Sequence, residues 1–195
     1  MVANGGLRTQ PETGRETLNP DDMRPNLAFI DLAQGLPKAA IELDAGLRRL
    51  SIRHLACRAD GLVAFGCQHE GETEDLPPLL GTVTDSGKLA MIPVPEEPLA
   101  RLANYVGSVS FDDSGTLLAA TSPRGGSTLI WNMARAEVAA SLQVPEVCGV
   151  AASGRHAFLL SSGQSGLDLV AADGSLSPAG GLGWVWDNHA LSFEA

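Results

Sequence analysis

Three segments of the chain repeat one pattern of two short strands joined by a tight turn. These segments are IRHLACRADGLVAFGCQ, VGSVSFDDSGTLLAATS and VCGVAASGRHAFLLSS. Each combines a strand of small residues, an Asp/Ser-Gly turn and a second apolar strand, and the middle copy is followed by STLIWNM and EVAASLQV. Recurring units of four antiparallel strands are typical of β-propellers, whose blades bury their faces only against one another. The sequence therefore predicts an all-β fold, a partial β-propeller.

The repeats also predict how the chain is divided. Residues 1–46 are expected to form an incomplete blade with a long polar loop, and 47–96, 104–145 and 146–183 three complete four-stranded blades. Residues 184–195 are expected to form a closing strand. Because a propeller ring needs about 4–8 blades, we expect this chain to be part of a ring or a truncated one. A β-sandwich is the competing interpretation.

Charge and hydrophobicity exclude two classes of partner. The chain of 195 residues has 13 Lys and Arg against 23 Asp and Glu, a net charge of -10. Affinity for nucleic acid comes largely from neutralising phosphates, so we expect no nucleic acid and no anionic membrane surface as partner. No segment approaches the run of about 18 apolar residues typical of a transmembrane helix. The first residues also lack the basic and apolar regions of a signal peptide.

The three cysteines do not suit a disulfide. Cys57 and Cys67 are predicted at opposite ends of one hairpin, and strand geometry separates such ends by more than about 10 Å. A disulfide needs Cα atoms within about 7 Å. We therefore expect Cys57, Cys67 and Cys148 to be three small buried thiols.

Two histidines occupy one predicted position on the innermost strands. Alignment of the copies on their turns makes His54, Ser108 and Gly149 equivalent, and the terminal segment DNHALSF places His189 there as well. Small residues are expected where strands crowd the axis, so two imidazoles are unusual. Imidazoles that face a central channel can bind a divalent metal or transfer a proton. We predict His54 and His189 as candidate metal ligands; alternatively, each only bonds to a neighbouring blade.

Two arginines are candidate contacts for an anionic ligand. Arg53 precedes His54, and Arg124 lies in the turn segment SPRGG, where a guanidinium can hold a carboxylate or phosphate. The alternative for Arg124 is an exposed turn residue. The acidic segment QHEGETED has oxygen ligands for a hard cation but lacks the spacing of a calcium loop, so we expect a solvated loop.

No catalytic motif is present in the sequence. It contains no GxSxG, Walker, GxGxxG or HExxH pattern. The sequence therefore assigns no catalytic residue.

Five motifs in order resemble a bacterial family catalogued as domain of unknown function fifteen-thirteen (DUF1513). They are VANGGLRTQPETGRETLN with MRPNLAFID, LSIRHLA, NYVGSV with ATSPRGG, VCGV, and WDNH, and together they span nearly the whole chain. The resemblance implies a seven-bladed propeller similar to the YVTN or quinoprotein-amine-dehydrogenase-like type, of which this chain matches the C-terminal half.

The same resemblance implies a cellular context. Members are typically exported by the twin-arginine pathway, which implies a periplasmic location. They are often encoded beside imelysin-like and di-haem-peroxidase-like proteins implicated in iron uptake. We therefore expect a periplasmic binding or scaffold module of iron or metal uptake, with His54 and His189 in the axial channel and Arg53 and Arg124 near its rim.

Two alternatives remain open at this point. One is a propeller enzyme, similar to a lactonase-like hydrolase or a quinoprotein-like oxidoreductase, with a metal or redox cofactor at the central channel. The other is a fragment that is non-functional or that works only as a dimer that completes the ring.

Overall fold

The computed structural model describes residues 1–14, 16–180, 183–186 and 189–192. Within these residues the regular structure is almost entirely β. The one α-helix of this part is α1 (Glu96–Ala100), and two 3-10 turns cover Pro11–Thr13 and Ala45–Leu47. In the sequence, helix α1 lies between the second and third sheets, in a segment that is rich in Pro and Glu.

Four antiparallel sheets make up the described part of the chain. The first contains β1 (Val2–Asn4), β2 (Asn26–Asp31) and β3 (Leu36–Glu42). The second contains β4 (Leu50–Cys57), β5 (Val63–His69), β6 (Leu80–Val83) and β7 (Leu89–Met91). The third contains β8 (Ser108–Phe111), β9 (Leu117–Ser122), β10 (Ser127–Asn132) and β11 (Glu137–Gln143). The fourth contains β12 (Val147–Ala152), β13 (Ala157–Ser162), β14 (Gly166–Ala171) and β15 (Leu176–Gly180).

Strands that are consecutive in sequence are neighbours in every sheet. Each sheet is therefore a meander, and the second, third and fourth run from an inner strand to an outer one, which is the form of a propeller blade. The inner strand β8 contacts both β4 and β12. The three inner strands therefore lie side by side. This arrangement confirms the predicted all-β, partial propeller fold.

Small residues are required where the inner strands meet. A Cβ atom at Gly107 would lie 2.6 Å from Cδ of Pro123, and one at Gly149 would lie 2.9 Å from the main-chain N of Ala190. Both distances are too short for real Cβ contacts, so only glycine fits. The crowding that the sequence predicts for the axis is therefore present at these two positions.

The hydrophobic core lies between neighbouring sheets. A first cluster joins the first three sheets and includes Phe65, Leu80 and Trp131. A second cluster joins the third and fourth sheets and includes Ile130 and Phe158. The third sheet contributes to both clusters, because its successive side chains point to opposite faces.

The outer parts of the chain differ in two ways from the predictions. Cys67 and Cys148 are buried free thiols, but Cys57 is exposed; it ends β4 beside a turn, so the prediction of three buried thiols was wrong for Cys57. The described residues of the predicted closing strand, 184–186 and 189–192, form no strand. Asp187, Asn188 and 193–195 lie outside the described residues.

The helices of the described residues are short. None is long and apolar enough to cross a membrane.

Candidate functional site

A β-bulge in the inner strand β4 directs two neighbouring side chains to the axis. Ile52 pairs with Cys67 and His54 pairs with Gly66, so Arg53 is an extra residue without a partner on β5. Successive side chains of a regular strand point to opposite faces, and a bulge changes this direction locally. Arg53 and His54 consequently line the same cavities.

Two cavities follow the axis of the inner strands. The turn-side cavity has a volume of about 660 Å³ and is lined by the inner hairpin turns, including Arg58 and Asp112. The loop-side cavity has a volume of about 690 Å³ and lies at the opposite ends of the strands. Among the residues that the structure describes, Arg53, His54 and His189 line both cavities. These three side chains stand at the boundary between the two halves of the axial channel.

The two predicted histidines meet at this boundary. The ring centroids of His54 and His189 are 5.1 Å apart, with 56° between the ring planes. Burial, together with the charges of His189 and Arg53, lowers the pKa of His54 to about 4. At neutral pH the His54 ring is therefore uncharged, and an uncharged imidazole has the nitrogen lone pair that a metal ion requires.

The histidine pair supplies only part of a metal coordination sphere. The described residues contain no group of three or more His, Cys, Asp and Glu side chains that could hold a metal ion. Zinc sites that stay open to an external ligand typically have three protein ligands. A metal between His54 and His189 would therefore take its remaining ligands from water or from a bound molecule.

Both predicted arginines line the loop-side cavity. The guanidinium carbon of Arg124 lies 4.7 Å from the centroid of the Tyr105 ring, a cation–π contact. Neither Arg53 nor Arg124 forms an ion pair with any residue in the described ranges. The structure thus brings both predicted arginines to the same cavity as the histidine pair.

The long N-terminal loop also forms part of this cavity, which the sequence did not reveal. Leu7, Thr9 and Thr17 line its wall. The buried side chain of Asn19 closes the loop: its Nδ2 donates to the Gly6 carbonyl at 3.0 Å. Its Oδ1 also accepts from the main-chain N–H of Arg8 at 2.7 Å.

The acidic segment after β5 is held in place by hydrogen bonds. His69 Nε2 lies 3.3 Å from Oδ2 of Asp75. Nδ2 of Asn104 donates to the carbonyls of Thr73 and Asp75 at 3.1 and 2.8 Å. From this segment, Glu70 reaches the loop-side cavity, where its Oε2 accepts from Thr17 Oγ1 at 3.3 Å. Glu70 is therefore a site residue that the sequence placed only in a solvated loop.

The chain is similar over nearly its whole length to one family. The family model described as "Protein of unknown function (DUF1513)" matches residues 1–193. No curated protein matches the chain.

Two solved structures illustrate the likeness of fold. "Structure of U3-55K" is 16% identical with a TM-score of 0.56, and the match covers 83% of this chain and 49% of that one. "Crystal Structure of Mitotic Checkpoint Complex" is also 16% identical, with a TM-score of 0.46 and coverage of 61% and 33%. The first likeness concerns the fold alone, and the second is too weak for any argument. The chain spans about half the length of the first structure.

Proposed function

This chain belongs to the DUF1513 family of proteins of unknown function, and from that premise we propose that it is a binding module whose axial channel takes a divalent transition metal between His54 and His189. The observation that supports this proposal is the contact of the two imidazole rings, with centroids 5.1 Å apart, where the two cavities meet. Imidazole nitrogen is a preferred ligand of zinc, copper, iron and nickel.

The surroundings of the pair suit a site that is shared with a ligand. His189 is exposed and His54 is half-buried, so an ion can reach both rings from the cavities. Because two imidazoles leave coordination positions open, the metal would bind together with water or an external anion. The role of the protein in this proposal is to hold the ion, not to enclose it.

Titration with metal alone tests the proposal. The chelator-treated protein is titrated with Co²⁺ and Zn²⁺ at neutral pH by calorimetry, and we expect one ion per chain. His54→Ala and His189→Ala should each weaken binding about tenfold or more, since even changes around a ligand cost 10–100-fold. His156→Ala is the matched control, because His156 is exposed and lines neither cavity. Unchanged affinity in the first two variants would contradict the proposal.

We also propose a periplasmic location and a role in iron or metal uptake beside imelysin-like and di-haem-peroxidase-like proteins. Both rest on the family resemblance. Fractionation of the native host tests the location: the protein should leave the cell with the periplasmic fraction when the outer membrane is opened. Retention with the cytoplasmic markers would overturn it.

A further inference from the structure

We infer that the loop-side cavity binds a small dicarboxylate that carries a hydroxyl group, of which malate is the simplest example. This inference rests on the proposed function only in placing the ligand in the axial channel. The cavity volume of about 690 Å³ lies within the range of about 300–1,000 Å³ that is typical of small-molecule sites. The walls carry two cations, one carboxylate and several hydrogen-bonding groups, and each of these restricts the ligand.

The two arginines of the loop-side cavity favour a ligand with two anionic groups. Six other arginines of the described part lie within 4.0 Å of a carboxylate: Arg8, Arg24, Arg49, Arg58, Arg101 and Arg135. Arg53, Arg124 and the exposed Arg48 and Arg155 have no such partner in the same part of the chain, although the net charge is -10 and carboxylates are abundant. Of these four, only Arg53 and Arg124 line the loop-side cavity. Two unpaired guanidinium groups on one cavity wall are best satisfied by anions from outside the chain.

The position of Arg124 favours a carboxylate. Its guanidinium lies over the Tyr105 ring at 4.7 Å, and Tyr105 is itself held by a β-bridge to Gln68. A guanidinium that packs on a ring face keeps its edge N–H groups free. Those groups bind a carboxylate through two parallel hydrogen bonds. Arg124 is therefore a fixed contact for one end of the ligand.

Arg53 provides the second contact, from a different strand. It is the extra residue of the bulge in β4, and it lines the cavity together with His54. Arg53 and Arg124 belong to neighbouring blades and line one cavity, so a ligand with a carboxylate at each end can contact both.

Glu70 favours a ligand that carries a hydroxyl group between its two carboxylates. Its Oε2 accepts from Thr17 Oγ1 at 3.3 Å, and its Oε1 has no hydrogen-bond partner within the described ranges. A carboxylate on the cavity wall repels ligand carboxylates and accepts from a hydroxyl. A hydroxyl group on the ligand therefore satisfies Glu70, while a plain dicarboxylate leaves it unpaired.

Calorimetric titration of the chelator-treated protein with malate and with succinate tests the inference. Malate should bind with one site per chain, and succinate at least about tenfold more weakly, the effect of one lost hydrogen bond to the charged Glu70 carboxylate. Arg53→Ala and Arg124→Ala should each weaken both ligands about tenfold or more, because each removes a hydrogen bond to a charged group. Glu70→Ala should bring the two affinities together.

Controls separate charge from contact and from misfolding. Arg155→Ala removes the same charge from an exposed residue that lines neither cavity, and it should leave malate affinity unchanged. Arg124→Lys keeps the charge but loses the planar fork, and it should still weaken malate. Equal losses in Arg155→Ala and Arg124→Ala, or no malate binding to the folded chain, would overturn the inference.

The two proposals fail separately. Malate is measured without metal, and metal is measured without malate. Metal binding that depends on His54 and His189, with no malate binding, would refute the malate proposal and support the metal site. Malate binding that depends on the arginines, with no metal binding, does the reverse.

Discussion

At the scale of single residues, the carboxylate of Asp112 joins two blades. Its side chain is fully buried and accepts from the main-chain N–H of Leu117 at 2.8 Å, within its own hairpin. It also accepts from the main-chain N–H of His156 at 2.9 Å, in the fourth sheet. Burial raises the pKa of Asp112, but hydrogen bonds from Ser114, Leu117 and His156 outweigh it and hold the pKa below the ordinary value.

The pH dependence of stability follows from this lowered pKa. A carboxyl group with a lowered pKa in the folded state contributes stability above its ordinary pKa of about 4 and loses it as the pH falls through the folded value. Asp112→Asn should lower the free energy of unfolding by about 1–3 kcal/mol at pH 7, and the difference from the parent chain should shrink below about pH 4. Urea denaturation at pH 7 and pH 3 measures both values.

Asp113→Asn is the matched control for this prediction. Asp113 is the neighbouring residue of the same turn, but it is exposed. Its substitution should change the free energy of unfolding by less than about 0.5 kcal/mol. A difference for Asp112→Asn that stays constant at both pH values would show that its ionisation is not involved.

At the scale of the element, the second sheet is packed tightly around Phe65. This side chain of β5 is fully buried, and Gly81 of the neighbouring strand β6 lies directly opposite it. A Cβ atom at Gly81 would collide with the ring of Phe65. The pair is complementary in size, because the glycine leaves room for the phenyl ring.

A methyl group at this position should therefore destabilise the sheet. Gly81→Ala is expected to lower the free energy of unfolding by about 1–3 kcal/mol, the usual cost of an overpacked core, as measured by thermal or urea denaturation. Gly46→Ala is the control, since a Cβ atom there would meet nothing within 4 Å. Equal stability of the two variants would mean that Phe65 moves aside without cost.

Sequence periodicity predicts regular elements better than it predicts their irregularities. The copies of the hairpin predict the bounds of β4 within one residue. Strands of small residues and turns that contain glycine are recognised from residues that are adjacent in the sequence. The bulge at Arg53 is not visible in this way, since it depends on the register between two strands. The role of Asn19 was missed for the same reason: its partners, Gly6 and Arg8, are recognisable only once the loop is folded.

The candidate site was predictable in part. Alignment of the repeats identified His54, because an innermost strand allows only a few positions to face the axis. The terminal segment suggested His189, which lines the same cavities although residues 189–192 form no strand. Glu70 and Tyr105 were not recognised as site residues. Both come from segments next to a strand, and their direction depends on hydrogen bonds to other parts of the chain.

At the scale of the whole molecule, stability is a sum of contacts between neighbouring sheets. The two core clusters overlap only through the third sheet. Proteins built from stacked units are stabilised largely by nearest-neighbour interfaces. Loss of one interface should therefore lower the stability of the two sheets that form it more than that of the other sheets.

Hydrogen exchange can detect this locality. Phe158→Leu leaves a small cavity in the second cluster, and we expect faster deuterium uptake in β12–β15 than in β4–β7. Phe65→Leu should show the opposite pattern, because Phe65 belongs to the first cluster. Uniform acceleration in all four sheets for both variants would contradict a stacked arrangement and indicate a single cooperative unit.

The meeting of two unlike cavities at Arg53, His54 and His189 has a consequence for orientation. One mouth of the passage presents the guanidinium of Arg124, whereas the other presents the exposed Asp113 beside an Arg58 that is already paired with Asp60. A guest with a negative and a positive end consequently has one preferred direction along the passage. The two ends of the passage are therefore chemically distinct.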